Sequence, residues 1–173
     1  MDLMMLPIEG DDATGWKPGK PTVFLSTAFA EQEPMFSPDG RWVAYQSMSS
    51  GRSEVYVRPF PGPGGLQQVS TGGGLYPMWS RTKPELVFVA PNPLQIMAAS
   101  YQASGDSFHA EKPHAWTTAR FIPRPRLRSL NLHPDGERLA VSPAEDVQTI
   151  TKQNHLVFIL NFSEELKRIA AAK

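Results

Sequence analysis

The chain contains no cysteine, so disulfides, thiolate metal sites and a cysteine nucleophile are all excluded. It also has no run of eighteen apolar residues, the minimum for a membrane-spanning helix. Net charge is missing too: seventeen basic residues balance seventeen acidic ones over 173 residues. That balance argues against a surface built to hold nucleic acid everywhere. The segment Met1 to Ile8 carries Asp2, has no basic start and soon meets Glu9-Gly10-Asp11-Asp12, so a signal peptide is not expected. No long amphipathic helical pattern occurs before the C-terminal end.

What the chain has in excess is punctuation. Seventeen prolines and thirteen glycines are spread along it, while 40% of residues are apolar. Frequent breaks in an otherwise globular composition predict many short strands joined by tight turns.

One block recurs three times. Pro34-Met35-Phe36-Ser37-Pro38-Asp39-Gly40 precedes Val43-Ala44-Tyr45, Pro77-Met78-Trp79-Ser80 precedes Leu86-Val87-Phe88, and Leu132-His133-Pro134-Asp135-Gly136 precedes Leu139-Ala140-Val141. Each apolar triplet starts six residues after Ser37, Ser80 or His133, and the copies lie 43 and 53 residues apart. In Ser-Pro-Asp-Gly, proline presets φ, aspartate suits the next turn position and glycine accepts a positive φ, so the block is a hairpin. The middle copy, Ser80-Arg81-Thr82-Lys83-Pro84, lacks Asp-Gly and needs another kind of turn. Asp2–Ile8 parallels Glu54–Phe60, and Thr22–Thr27 parallels Leu66–Thr71. A period of this length, with four strands per copy, predicts an all-β chain of propeller type with four-stranded antiparallel blades.

The expected layout is one partial propeller domain over residues 1–173. Residues 2–8 and 21–27 form the outer strands of an incomplete blade. Residues 33–71 form a full blade, with strands at 33–37, 41–47, 53–59 and 66–71. Residues 75–121 form another, with strands at 75–80, 85–90, 94–101 and about 115–121. Residues 129–161 begin a further blade, with strands at 129–133, 137–142 and 155–161. A short helix over 163–172 is predicted from Ser163 as N-cap, acids in the first turn and bases after it.

The Pro-x-Phe/Trp-Ser-Pro-Asp-Gly-Arg-x-Val-Ala-Tyr pattern, best at Pro34 to Phe60 and good at His133 to Val141, resembles the repeats of TolB-like six-bladed β-propellers. With Ser53-Glu54-Val55-Tyr56-Val57-Arg58-Pro59-Phe60 and Asn161 to Lys167, it is similar to the propeller regions at the C-terminal end of bacterial serine/threonine protein kinases. The resemblance implies a binding or scaffolding surface, with the sensor part of a signalling protein as one role. It also implies a bacterial, extracytoplasmic setting, with a cytoplasmic one equally open. No kinase motif is present. About half a ring is covered, so exposed edges are expected. Two readings stand side by side: a piece of a longer chain, or a homodimer in which residues 2–27 of one copy complete residues 129–161 of another.

Several residues are candidates for chemistry. Ser80 and Lys83 have the Ser-x-x-Lys spacing of esterases that use lysine to activate serine, which makes a small serine hydrolase the alternative function. That spacing works on a helical turn, and here it falls in a hairpin. Arg124, Arg126 and Arg128 share one face of an extended segment and would dock a protein, a peptide or a small carboxylate ligand, against the alternative of a solvated loop. Trp116 and Trp16 lie in longer connections and are the aromatics freest for ligand contact. No metal site or cofactor is expected from His109, His114, His133 and His155, none of which has helical ligand spacing. Gly72-Gly73-Gly74 reads as a turn and not a phosphate cradle, and Glu9, Asp11 and Asp12 read as a solvated acidic loop.

Overall fold

The computed structural model describes residues 2–62, 64–118 and 128–142. Every regular element among them is a strand, fifteen in all, so the chain is all-β. The expected strand 155–161 and helix 163–172 lie outside the described residues.

The first sheet pairs β1 (Leu3–Met5) with β4 (Thr22–Leu25), antiparallel. Between them stands a hairpin of β2 (Ile8–Asp11) and β3 (Gly15–Pro18). Here the structure corrects the sequence reading, which ran one strand to residue 8 and left Glu9 to Asp12 as a loop. Asp11 Oδ1 accepts the backbone N–H of Ala13 and Thr14 and the Thr14 hydroxyl, and this local bonding turns the acidic stretch back on itself.

The second sheet is a four-stranded meander of β5 (Glu31–Phe36), β6 (Trp42–Ser47), β7 (Glu54–Pro59) and β8 (Gln67–Gln68). The third runs through β9 (Leu75–Trp79), β10 (Glu85–Pro91), β11 (Leu94–Ser104) and β12 (Ser107–Ala110), with β13 (His114–Ala115) also on β11. The expected outer strand at about 115–121 is only this two-residue bridge among the described residues. The last four residues of β11, Tyr101–Ser104, instead pair with β12 in a hairpin turned by Ser104-Gly105-Asp106-Ser107, with Gly105 at φ 55°. The last described sheet pairs β14 (Leu130–Leu132) with β15 (Leu139–Val141).

The sheets stack through alternate side chains of each strand. Trp42, Ala44, Val55 and Val57 of the second sheet meet Trp79, Leu86, Phe88 and Ala99 of the third. The intervening residues Tyr45 and Tyr56 point the other way, onto Leu3 and Leu25 of the first. Val87, Val89, Ile96 and Ala98 cover the opposite face of the third sheet and meet Leu130 of the last. Strands buried on both faces explain why Val43, Ala44, Val55, Val57, Val87 and Val89 run together with almost no polar alternation.

The repeated turns are built as their residues predict. Gly40 N–H donates to Ser37 O at 2.9 Å, and Gly136 N–H donates to His133 O at 2.9 Å. The Ser37 hydroxyl donates to Asp39 Oδ1 and accepts from Trp42 N–H, so each group in the turn is used. Neighbouring turns also touch: the Thr82 hydroxyl donates to Asp135 O at 2.9 Å, and a Cβ on Gly136 would fall 2.7 Å from Ser80 Oγ.

These turns carry a pH dependence. The Ser37 hydroxyl holds the Asp39 carboxyl below its ordinary value. The Glu137 backbone N–H, helped by Arg138 and His133, holds Asp135 down to about 2. A carboxyl depressed in the folded state contributes stability above its unfolded pKa, near 3.8, and loses it as pH falls toward about 2. Thermal melting from about pH 6 to about pH 2 is therefore expected to show a falling midpoint in that acid window. The fall should be shallower in Asp135→Asn, and an identical fall would remove Asp135 from the account.

Candidate functional site

The first strands of the second and third sheets, β5 and β9, are each broken by a bulge at the same place in the repeat. Glu33 and Pro34 of β5 oppose a single position of β6, between the pairs Gln32–Gln46 and Met35–Ala44. Tyr76 and Pro77 of β9 do the same against β10, between Leu75–Val89 and Met78–Val87. Glu33 (φ 55°) and Tyr76 (φ 54°) are the two non-glycine residues with left-handed backbone among those described. A residue before proline ordinarily prefers extended backbone, so each position stores on the order of 1 kcal/mol of strain. Strain of this kind re-aims side chains.

Arg128 meets both re-aimed residues. Its Nε–H donates to Glu33 Oε2 at 2.7 Å, and its terminal nitrogens reach Pro77 O at 3.3 and 3.4 Å. Its guanidinium carbon lies 5.8 Å from the centre of the Tyr76 ring. One arginine thus ties the first strands of the second and third sheets to the segment that leads into the last. Burial raises the Tyr76 hydroxyl pKa, with Glu33 adding to the rise and Arg128 opposing it.

Beside this cluster lies a cleft of about 750 Å³, lined by Asp2, Leu3, Glu31, Glu33, Met48, Leu75 and their neighbours. Among the described residues, three carboxylates line it and no basic side chain does. Glu31 is 1% exposed. Its Oε1 accepts the Thr27 hydroxyl at 2.5 Å and the Ser47 hydroxyl at 3.3 Å, while its Oε2, itself buried, has no hydrogen-bond partner among the described residues.

The sequence candidates fall in several places. Arg124 and Arg126 lie outside the described residues. Arg128 is described, but its guanidinium is engaged by Glu33 and Pro77 instead of presenting a free fork. Trp116 is partly buried against the cluster of Tyr76, Val89 and Ile96. Trp16 is 61% exposed, with its indole N–H donating to Asp12. Ser80 is 2% exposed, and its Oγ accepts the backbone N–H of Thr82 and Lys83. The Lys83 ammonium lies 3.9 Å from Glu137 Oε1. The pair is therefore joined through the Lys83 backbone, which is the bonding of a turn. Gly73 N–H donates to both oxygens of buried Glu54 at 3.0 Å, so that amide of the triple-glycine loop already serves an internal carboxylate. Among the described residues no group of three His, Asp or Glu side chains is placed to hold a metal ion.

Sequence reasoning missed Glu31 and Glu33. The one available signal is Glu-x-Glu-Pro, two acids entering a strand just before the repeat block. Nothing in that pattern reveals a bulge or an unpaired oxygen. No protein-family model and no curated protein matches the chain.

Proposed function

We propose that the chain is a run of consecutive blades of a TolB-like β-propeller, working as a non-catalytic recognition module. Its ligand surface is the cleft beside the inner strands. The observation that carries this reading is the recurrence of one geometry. Successive antiparallel meanders stack through alternate faces, and the inner strand of two of them bulges at the same repeat position. Radial stacking of blades has these features, and its inner strands border a central space where ligands meet several blades at once. The resemblance to the propeller regions of bacterial protein kinases supports a role as the sensor part of a signalling protein, in an extracytoplasmic setting.

A second copy of the chain is the proposed partner that closes the ring. Among the described residues, strand β1 has one paired neighbour, β4, and β15 has one, β14. If the repeats are aligned, β15 of one copy meets β1 of the other as β6 meets β7, with Val141 opposite Met4 and Ala140 opposite Met5. Val141 and Met4 are both about half exposed in the single chain. Joining them covers apolar surface and removes two open edges together.

Light scattering on the chain is expected to give twice its 19.2 kDa mass, and Val141→Lys is expected to return it to one. An ester-hydrolysis assay of the same samples should show no rate above that of Ser80→Ala. A stable monomer would sink the ring closure, and hydrolysis lost with Ser80 would sink the non-catalytic reading.

A further inference from the structure

We infer a further binding site at the rim between the second and third sheets, which takes a small carboxylic acid carried on a single apolar ring, with Lys112 as its counter-ion. This site shares no lining residue with the cleft beside Glu33 and Tyr76, and it does not depend on the reading of that cleft.

The site follows from where the core between these sheets stops. Phe88 of the third sheet shares one buried cluster with Val55 and Val69 of the second. Beyond Phe88, on the same face of the third sheet, come the cross-strand partners Ala90 and Gln95. Across from them the second sheet has run out into Ser70-Thr71-Gly72-Gly73. Small residues on both sides leave a cavity of about 200 Å³. Its walls are pinned, so it cannot close by local collapse. Gly73 N–H donates to both oxygens of Glu54 at 3.0 Å, and Gly74 N–H donates to Ser53 O at 2.9 Å. A Cβ on Gly73 would fall 2.8 Å from the Pro91 ring, so the glycine loop and the β10–β11 hairpin already touch. Lys112 and Pro113 stand between two anchored neighbours: Glu111 N–H donates to Ser100 O at 2.8 Å, and His114 pairs with Ala98.

The lining selects the ligand. Ala90, Pro93, Met97 and Pro113 give the cavity apolar walls. A methionine sulfur makes favourable contacts with an aromatic ring. A cavity of about 150 Å³ takes one benzene ring, so this one has room for a ring and a short substituent. Lys112 also lines it, and its ammonium is exposed. That charge favours an anion, and a carboxylate accepts its N–H donors. Thr71 and Asn92, both exposed, add neutral hydrogen-bonding groups beside it. An exposed ion pair contributes little free energy, so burial of the ring supplies most of the affinity and Lys112 supplies the preference for an acid.

Calorimetric titration of the full chain with phenylacetate, phenylacetamide and acetate tests this. The first has ring and charge, the second the ring alone and the third the charge alone. Phenylacetate is expected to bind saturably with a Kd of about 1 mM, the scale for a ligand of this size. Phenylacetamide should bind about threefold more weakly, the factor an exposed ammonium can add. Acetate should show no saturable binding up to about 10 mM. Lys112→Gln should abolish the preference for the acid over the amide. Ala90→Leu puts a larger side chain into the cavity and should weaken phenylacetate by about tenfold or more. If Ala90→Leu does not fold, the Lys112→Gln comparison decides alone. Equal affinity for acid and amide, or a preference that survives Lys112→Gln, would overturn the inference. So would unchanged binding by folded Ala90→Leu, or no saturable binding of phenylacetate up to about 10 mM.

Discussion

Replacing Trp79 with alanine is expected to lower the unfolding free energy by about 3–5 kcal/mol, the range for deleting a large buried aromatic. Trp79 is 7% exposed and sits where the second and third sheets meet. Its ring is edge-on to Tyr101 at 5.2 Å and to Phe108 at 6.0 Å, and Phe108 lies 5.1 Å from Trp42. Its indole N–H donates to Met35 O at 2.9 Å, across to the bulged strand of the second sheet. Removing it opens a cavity between two sheets and leaves a carbonyl without its donor. Trp79→Phe keeps a ring in place and loses the indole bond, so its cost should be smaller, with about 1 kcal/mol from that bond. Denaturant unfolding would read the effect as a lower midpoint at unchanged slope. Losses below about 1 kcal/mol for the alanine variant would show that the sheets do not depend on this contact.

Glu54→Ala should have the next largest effect, roughly 2–4 kcal/mol. Glu54 is fully buried, and its carboxylate accepts the Ser70 hydroxyl, the Gly73 N–H and the Arg52 Nε–H. It joins the start of β7 to the chain beyond β8 and to the glycine loop leading to β9. Alanine would leave Ser70, 1% exposed, and Gly73 N–H without their acceptor. The partner Arg52 is different, because its side chain is 63% exposed and water can replace the carboxylate. Arg52→Ala should therefore cost about 1 kcal/mol or less. Glu54→Gln should fall between, because the amide keeps the shape and one acceptor. If Arg52→Ala cost as much as Glu54→Ala, the surface ion pair would be the source of stability and the buried hydrogen bonds would not.

The two positions differ in how visible they are in the sequence. Trp79 occupies the same apolar slot of the repeat as Phe36, and spacing marks both as strand residues, but Trp79 is 7% exposed and Phe36 49%, so the neighbouring sheets decide which is buried. Glu54 looks like the acidic start of a strand, parallel to Asp2. Its role depends on Ser70 and Gly73, brought to it by the turn between β7 and β8. The extended β11–β12 hairpin was written as Tyr101-Gln-Ala-Ser-Gly-Asp-Ser-Phe108. A Ser-Gly turn flanked by aromatics is a hairpin signal. The repeat spacing points past it, to an outer strand at about residues 115–121. The β2–β3 hairpin was hidden for another reason. All eight of its strand residues are exposed, so no apolar alternation marks them.

By itself, the sequence determined the strand type, the tight turns and the apolar triplets buried in the second and third sheets. Each follows from local chemistry: proline and glycine restrict or free the backbone, and β-branched and aromatic residues fit a pleated surface. Tertiary structure alone decided that Glu33 and Tyr76 take left-handed backbone, that Arg128 spends its guanidinium on Glu33, and that one buried oxygen of Glu31 meets no donor among the described residues. Those outcomes depend on which strands become neighbours, and a hydrogen-bond deficit exists only once burial has removed the water that would have filled it.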